Sequence, residues 1–448
     1  MNRNMIGLLR CMGMVAVAFL MVATTAFCET HTLNDLYRIA LERSERIRLS
    51  EQNLLLAEAG KDKKRAALLP RLSAYGGYTA FSESKKTAET PLLPGVTLPG
   101  SIVQPDYSGQ WGLRLDQAMT LNGREIKDFN ISRNNIRKQE QDVFAQKEDY
   151  LLVVSISYFE VLQAKKALDI ADAALERLTL YRAAAEKRLK VGEITKTVLL
   201  RADGERSGAL AEQIKARNAL TLSRVVLARI VGIGEDFQLV ESPAGEETLL
   251  PLDAYIETAM AHRADLKSAE IEKHMTENQI DVARGGFWPT LSIAGVYGRY
   301  DQYPVAATTN RESAYGQVAL NFPFFEGGLR MAEVREASVR NRQAQLRLDD
   351  LKKTIRVEVE TTYVELKNLR GILLSLRDQL AFASDNYKAV SRQFEFGLAN
   401  SIDVMDANTL LVSTERQLSA AVYAYGAEHL RMKRATGLLL REVLNSGK

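Results

Sequence analysis

Asp403 and Asp406 are spaced i, i+3, so on a helix their carboxylates share one face close to its start. Two such charges draw cations toward themselves. The same residues also fit a structural role, because Asn400 can cap the helix and Asp403, at the third position, completes a capping box on the positive helix end. Both roles can hold together. No constellation for catalysis accompanies them. The histidines are His31, His262, His274 and His429, and the chain has no HExxH run, no cysteine pair for metal or redox work, no nucleophile-elbow serine and no phosphate loop. Gly232-Ile233-Gly234 precedes Glu235-Asp236 and reads as a helix C-terminus, and Lys61-Asp62-Lys63-Lys64-Arg65 reads as a solvated helix face. No enzymatic activity, metal or cofactor is expected. Function must then lie in shape and in charge.

The elements that would carry the acidic pair occur twice. Leu33 to Ser73 and Leu252 to Ser292 match at a constant shift of 219, with Pro70 facing Pro289. From Gly123 onward the shift is 205: Gly123 with Gly328, Tyr158 with Tyr363, Gly192 with Gly397 and Gly232 with Gly437. The first copy therefore carries 14 extra residues (219 − 205) between Thr79 and Ser108. A period this long describes a duplicated domain-sized unit rather than a solenoid.

Within each copy two patterns alternate. Residues 123–190 and 328–395 lack proline and space Val, Ile, Leu, Ala, Tyr and Phe at helical intervals among charged residues. Each predicts a helix on the order of 100 Å long. Residues 33–68, 196–231, 252–287 and 401–436 predict helices about half as long, able to lie end to end beside the long ones. Ala164, Ala167, Ala171, Ala173, Ala174, Ala381, Ala383 and Ala389 suggest close helix approach in a coiled-coil-like assembly, although alanine is also simply a good helix former.

Between the helices the period drops to two. Leu72, Ala74, Gly76 and Tyr78 alternate with Ser73, Tyr75, Gly77 and Thr79, and Trp111, Leu113 and Leu115 alternate with Gln110, Arg114 and Asp116. Leu291, Ile293, Gly295 and Tyr297, then Val318, Leu320 and Phe322, repeat the pattern. Four strands with one apolar and one polar face have the length and alternation of transmembrane β-strands. Pro70 and Pro289 stop the helices that precede them. The hairpin loops over 82–107 and 301–313 are polar or proline-rich and read as exposed. A soluble sandwich is the competing reading. Four strands cannot close a pore, so the membrane reading requires oligomerisation.

Arg3 and Arg10, an apolar run from Cys11 to Ala23 and the Ala26-Phe27-Cys28 site form the order of a secretory signal. Both cysteines leave with it, so no disulfide is expected and packing must supply stability. Lipidation of Cys28 is not expected, because lipoprotein signals resemble one another in a small residue where Phe27 stands. No segment is apolar for long enough to be a transmembrane helix. Charge is balanced, 59 basic against 56 acidic residues, which gives no case for nucleic acid. The expected organisation is a signal over 1–28 and a first repeat over 29–231, with strands near 70–81 and 109–119 and a long helix at 123–190. An equatorial linker over 232–251 follows, then a second repeat over 252–437, with strands near 289–300 and 314–324 and a long helix at 328–395, and a tail over 438–448.

Gly397-Leu398-Ala399-Asn400-Ser401-Ile402-Asp403-Val404-Met405-Asp406-Ala407 resembles the signature of the TolC family of outer-membrane efflux proteins, and Phe322-Pro323-Phe324-Phe325-Glu326-Gly327-Gly328 is similar to its strand-to-helix junction. The first-copy counterpart, Gly192 to Ala202, keeps the glycine and alanine but not the acids. The resemblance implies a mainly α fold with a β-barrel portion, in which a homotrimer shares a twelve-stranded barrel in outer-membrane lipid, continued by a periplasmic helical tunnel. It implies an exit duct for efflux or type I secretion, working with a periplasmic adaptor (membrane fusion) protein and an inner-membrane pump. Asp403 and Asp406 would then form a negative collar at the tunnel entrance. The hairpin tips, Arg188, Val191, Gly192 and Glu193 with Phe394, Phe396, Gly397 and Leu398, would dock the adaptor. The family's best-known member ties its closed entrance with a tyrosine and an arginine where this chain has Phe394 and Ala399, so the ties here must differ or be weaker. A non-conducting, envelope-spanning coiled-coil protein is the alternative from another class.

Intact mass of the protein purified from membranes is expected to correspond to a chain starting at or near Glu29. A diacylglyceryl group on Cys28 would contradict this.

Overall fold

The structure, a computed structural model, describes residues 29–98, 100–241, 249–306 and 309–446. The expected signal over 1–28, with Cys28, lies outside the described residues. The chain begins with β1 (Glu29–His31), α1 (Leu33–Arg43) and α2 (Glu45–Ala66), then β2 (Arg71–Ala80). The loop that follows holds β3 (Lys85–Lys86), β4 (Thr90–Leu93), β5 (Val96–Leu98) and β6 (Ile102–Gln104), and leads to β7 (Tyr107–Thr120). The first hairpin is α3 (Arg124–Lys190) and α4 (Lys196–Val231), followed by β8 (Phe237–Leu239). The second half runs α5 (Leu252–His262), α6 (Ala264–Arg284), β9 (Thr290–Tyr303), β10 (Glu312–Asn321), α7 (Leu329–Glu395), α8 (Ser401–Ala435) and α9 (Leu439–Ser446).

The two long helices have 67 residues each and start at the same relative place, after glycines in the left-handed conformation, Gly123 at φ 70° and Gly328 at φ 86°. Each is flanked by shorter helices. Residues 33–68 and 252–287 do not form single helices. Both break at matched positions, Ser44 with ψ 123° and Arg263 with ψ 128°. Ser44 caps the next helix, its hydroxyl accepting the Ile47 N–H at 3.4 Å. Arg263 is instead buried, bonding Asp265, Glu358 and the Ala435 carbonyl.

Each repeat has its own core. Leu36, Tyr37, Leu151, Val154, Tyr158, Leu227 and Val231 fill the first, and Leu348, Ile355, Val359, Leu366, Tyr425 and Met432 the second. α3 also packs against α6 and α8, which joins the halves. At one crossing a Cβ on Gly426 would sit 2.7 Å from the Phe159 ring, so only glycine permits the approach. Of the alanines expected at seams, Ala171, Ala174 and Ala383 are buried, whereas Ala381 and Ala389 face outward. Residues 439–446 are a helix rather than a tail, because Leu439 and Leu440 complete the first core. The linker contributes β8, which pairs in parallel with β1.

Glu148 lies beneath α9 and is 4% exposed, with one carboxyl oxygen lacking a partner. Burial raises its pKa from 4.5 to about 7, against the pull of the Leu440 N–H, Arg434 and Arg263. A carboxyl whose folded pKa lies above the unfolded value stabilises the fold fully below about 4.5 and loses that contribution as pH rises through about 7. The unfolding midpoint is therefore expected to fall between pH 5 and pH 8, with Glu148 responsible for on the order of 3 kcal/mol. Glu148→Gln should flatten this dependence and exceed the wild type at pH 8; parallel pH profiles for the two proteins would contradict it.

Candidate functional site: hairpin tips and strand faces

Both helical hairpins close through the same backbone device. The Glu193 N–H bonds the Arg188 carbonyl at 2.9 Å and the Leu398 N–H bonds the Gln393 carbonyl at 2.8 Å, across Gly192 at φ 77° and Gly397 at φ 75°. Val191, Phe396 and Leu398 stand 70%, 79% and 80% exposed, an apolar crown beside Gly192, Glu193 and Gly397. Phe394 does not belong to that crown. It is 6% exposed and packs with Leu178, Tyr181, Ala202, Val404 and Met405, so it cannot offer its side chain to a docking partner.

That burial answers how the tips are tied within one chain. The Tyr181 and Phe394 rings lie 5.1 Å apart, and the Arg188 guanidinium sits 4.9 Å from the Phe394 centroid. Arg188 donates to the Phe394 carbonyl at 2.8 Å and to Glu193 at 2.9 Å. The polar contact thus runs from the first hairpin to a backbone atom of the second. Farther along, Arg177 donates to Asn408 at 3.1 Å and to Glu415 at 3.4 Å. Sequence reasoning did not single out Arg177, Tyr181 or Asn408, because nothing local marks a pairing between hairpins more than 200 residues apart.

Asp403 and Asp406 are both exposed, whereas Val404, Met405 and Ala407 between and beside them are buried. Asn400 accepts the N–H groups of Ile402 and Asp403 at 2.8 and 3.0 Å, and Asp403 accepts the Asn400 N–H at 3.0 Å. The capping box is complete. The Asp406 side chain makes no hydrogen bond or ion pair among the described residues. The first-copy equivalent, Thr195, caps α4 without a side-chain bond, so only the second tip has this acidic, pinned start.

At the opposite end, β10, β9, β7 and β2 form one antiparallel sheet in that order. Its register puts Leu72, Ala74, Trp111, Leu113, Leu115, Leu291, Ile293, Tyr297, Val318 and Leu320 on one face. Ser73, Gln110, Arg114, Asp116, Ser292 and Gln317 share the other. Tyr78, Tyr107 and Tyr303 stack in sequence at 5.6 and 5.9 Å at one end of the apolar face, and Trp288, Phe324 and Phe325 are exposed at the other end. Aromatic residues bracketing an apolar band are the pattern of a membrane-spanning barrel wall. On the polar face Tyr75 lies across two glycines: a Cβ at Gly112 or Gly298 would come within 2.6 or 2.7 Å of its hydroxyl.

The family model described as outer membrane efflux protein matches residues 36–233 and 255–438, one segment in each repeat. The chain belongs to the outer membrane efflux protein family. BepC of Brucella suis, an outer membrane efflux protein, is 23% identical over 389 residues, 84% of either chain. AprF of Pseudomonas aeruginosa, an alkaline protease secretion protein, is 24% identical over 438 residues, 91% of this chain and 84% of its own. Among solved structures, the outer membrane protein VceC of Vibrio cholerae superposes with a TM-score of 0.76 at 18% identity, over 90% of this chain and 96% of that one. The TolC resemblance read from the residues therefore holds, and the outer membrane is where this family member resides.

Arg188→Ala is expected to loosen the tips without unfolding the strands. Amide exchange over Phe394 to Leu398 should accelerate about tenfold, since a charged hydrogen bond contributes about 1.5 kcal/mol or more. Arg188→Lys, which cannot reach both acceptors with the same fork, should behave similarly. Unchanged exchange in both variants would show that the apolar packing of Phe394 holds the tips alone.

Proposed function

We propose that this family member works as a homotrimer whose four-stranded sheets join into one twelve-stranded barrel, continued by the long helices as a periplasmic tunnel. It is the exit duct of a tripartite efflux pump or a type I secretion system, passing its substrate chemically unchanged from periplasm to exterior. The observation that carries this reading is the sheet: two-faced, bracketed by aromatic residues and open at both edges. A non-conducting structural protein would have no use for an apolar outer strand face with a polar inner one.

In this reading the crown of Val191, Phe396 and Leu398, with Gly192, Glu193 and Gly397, meets the periplasmic adaptor, and the inner-membrane pump supplies the energy. Arg188 and Phe394 set the shape of that crown from behind. Asp403 and Asp406, repeated by threefold symmetry, form six carboxylates at the entrance and favour cations there. Asp403 serves two roles, since its carboxylate both closes the capping box and stays exposed.

Native mass spectrometry in detergent is expected to show three chains, and planar bilayers a cation-selective channel blocked by divalent ions. Replacing Asp403 and Asp406 together by Ala should weaken both the cation preference and the block. Trimers should survive, because losing the cap removes only about 1 kcal/mol from extensive helix packing. Unchanged selectivity in the double variant would leave Asp403 as a cap alone, and a stable monomer without conductance would reject the channel.

A further inference from the structure

The polar face of the sheet carries three ionisable cations and anions in all, and they are arranged unevenly. Arg71 opens β2 and pairs in register with Asp116 of β7. Arg114, two residues before Asp116 and therefore on the same face, already holds that carboxylate, its Nε lying 2.9 and 2.8 Å from the two oxygens. Arg71 is exposed, and its side chain makes no hydrogen bond or ion pair among the described residues. The other residues of this face on the four strands are Ser, Thr, Gln, Asn, Tyr, Gly, Ala and Val, which cannot neutralise it.

We infer that Arg71, left uncompensated beside the Arg114–Asp116 pair, makes the barrel wall an anion-attracting band, opposite in sign to the acidic entrance at the far end of the tunnel. This rests on the proposed barrel, in which the polar face lines the lumen and threefold repetition sets three such groups at one height. Arg71 stands directly after Pro70, where α2 gives way to the strand, so the band lies at the base of the barrel. Asp403 lies beyond the far end of a helix on the order of 100 Å long, many screening lengths away at ordinary ionic strength, so the two charges act independently. A conduit with negative charge at one mouth and positive charge at the other passes current more easily in one direction. Solutes bearing carboxylate, phosphate or sulfate groups are favoured once they reach the barrel, and cations are favoured at the entrance.

The test uses the full assembled channel in planar bilayers with a tenfold KCl gradient, the dilute side near 10 mM so that screening is weak. Arg71→Gln is expected to raise the potassium-to-chloride permeability ratio about twofold and to bring the ratio of currents at opposite voltages toward one. Asp116→Asn, which frees Arg114 as well, should move both readings the other way. Arg71→Lys should match the wild type, and all differences should vanish at 1 M KCl. Heat-resistant trimers on gels confirm that each variant is assembled. Permeability ratios unchanged in both Arg71→Gln and Asp116→Asn would overturn the inference, while a response to replacing Asp403 and Asp406 in the same bilayers would leave the channel itself standing. A wild-type protein that forms trimers but no pores would remove the barrel and this band together.

Discussion

The two open edges of the four-stranded sheet govern everything else in this molecule. β2 and β10 each present a row of backbone N–H and C=O groups with no strand partner among the described residues, next to a face rich in Leu, Ile, Trp and Tyr. Water can satisfy an edge strand, but hydrocarbon cannot, and each orphaned group there costs several kcal/mol. An apolar sheet face demands lipid, and lipid forbids the edges. Only pairing with further strands reconciles the two. The helices carry the same demand downward. α7 exposes Val339, Leu346, Val357, Val364, Leu374 and Phe382, and α4 exposes Leu200, Leu210, Ile214 and Leu222, along lengths that none of the described residues covers. In the proposed trimer the neighbouring copies that close the sheet would also cover those stripes.

The halves of the chain hold separate cores, so what joins them decides how the hairpins move relative to each other. At the equator Arg434 reaches Asp149 in the first repeat and Glu358 in the second, and Arg263 also reaches Glu358. At the tips Arg188 and Phe394 perform the equivalent task, with an aromatic cluster in place of an ionic one. Between these levels α4 and α8 both lie on α3, bridged by the half-exposed Arg416 and Glu212 pair at 3.3 Å. The equator is thus joined by ion pairs, and the tips by an arginine and the apolar cluster around Phe394. Charge is distributed along the same axis, with the exposed carboxylates of Asp403 and Asp406 on α8 and the exposed Arg71 guanidinium at the start of β2.

Much of this was legible in the amino-acid order, because it rests on local rules. Duplication appears as two constant offsets. Strands announce themselves by a period of two, long helices by a period near 3.6, and tips by Gly192 and Gly397 in places where only a left-handed residue closes the turn. The capping box at Asn400 and Asp403 is a four-residue pattern and formed as its spacing dictates. Even the two-faced character of the sheet needs only alternation, since a side chain's face is set by its parity along the strand.

What the sequence could not decide were contacts between residues far apart in the chain. Periodicity runs unbroken through Ser44 and Arg263, yet both helices break there, and Arg263 is drawn into a pocket whose acceptors lie 95 and 172 residues away. Residues 438–446 look like a tail because a short helix has little propensity of its own, and Leu439 and Leu440 become helical by completing a core built by α1, α3 and α4. Phe394 looks like a surface residue beside an exposed turn, and the second hairpin's approach to Tyr181 and Arg188 buries it. β1 pairs with β8 across more than 200 residues. In each case the local free energy is nearly neutral between alternatives, and burial against a distant partner tips the balance. Sequence by itself determined the elements and their faces; tertiary packing decided which polar groups are neutralised, which aromatic residues are hidden, and so which charges and apolar surfaces remain for function.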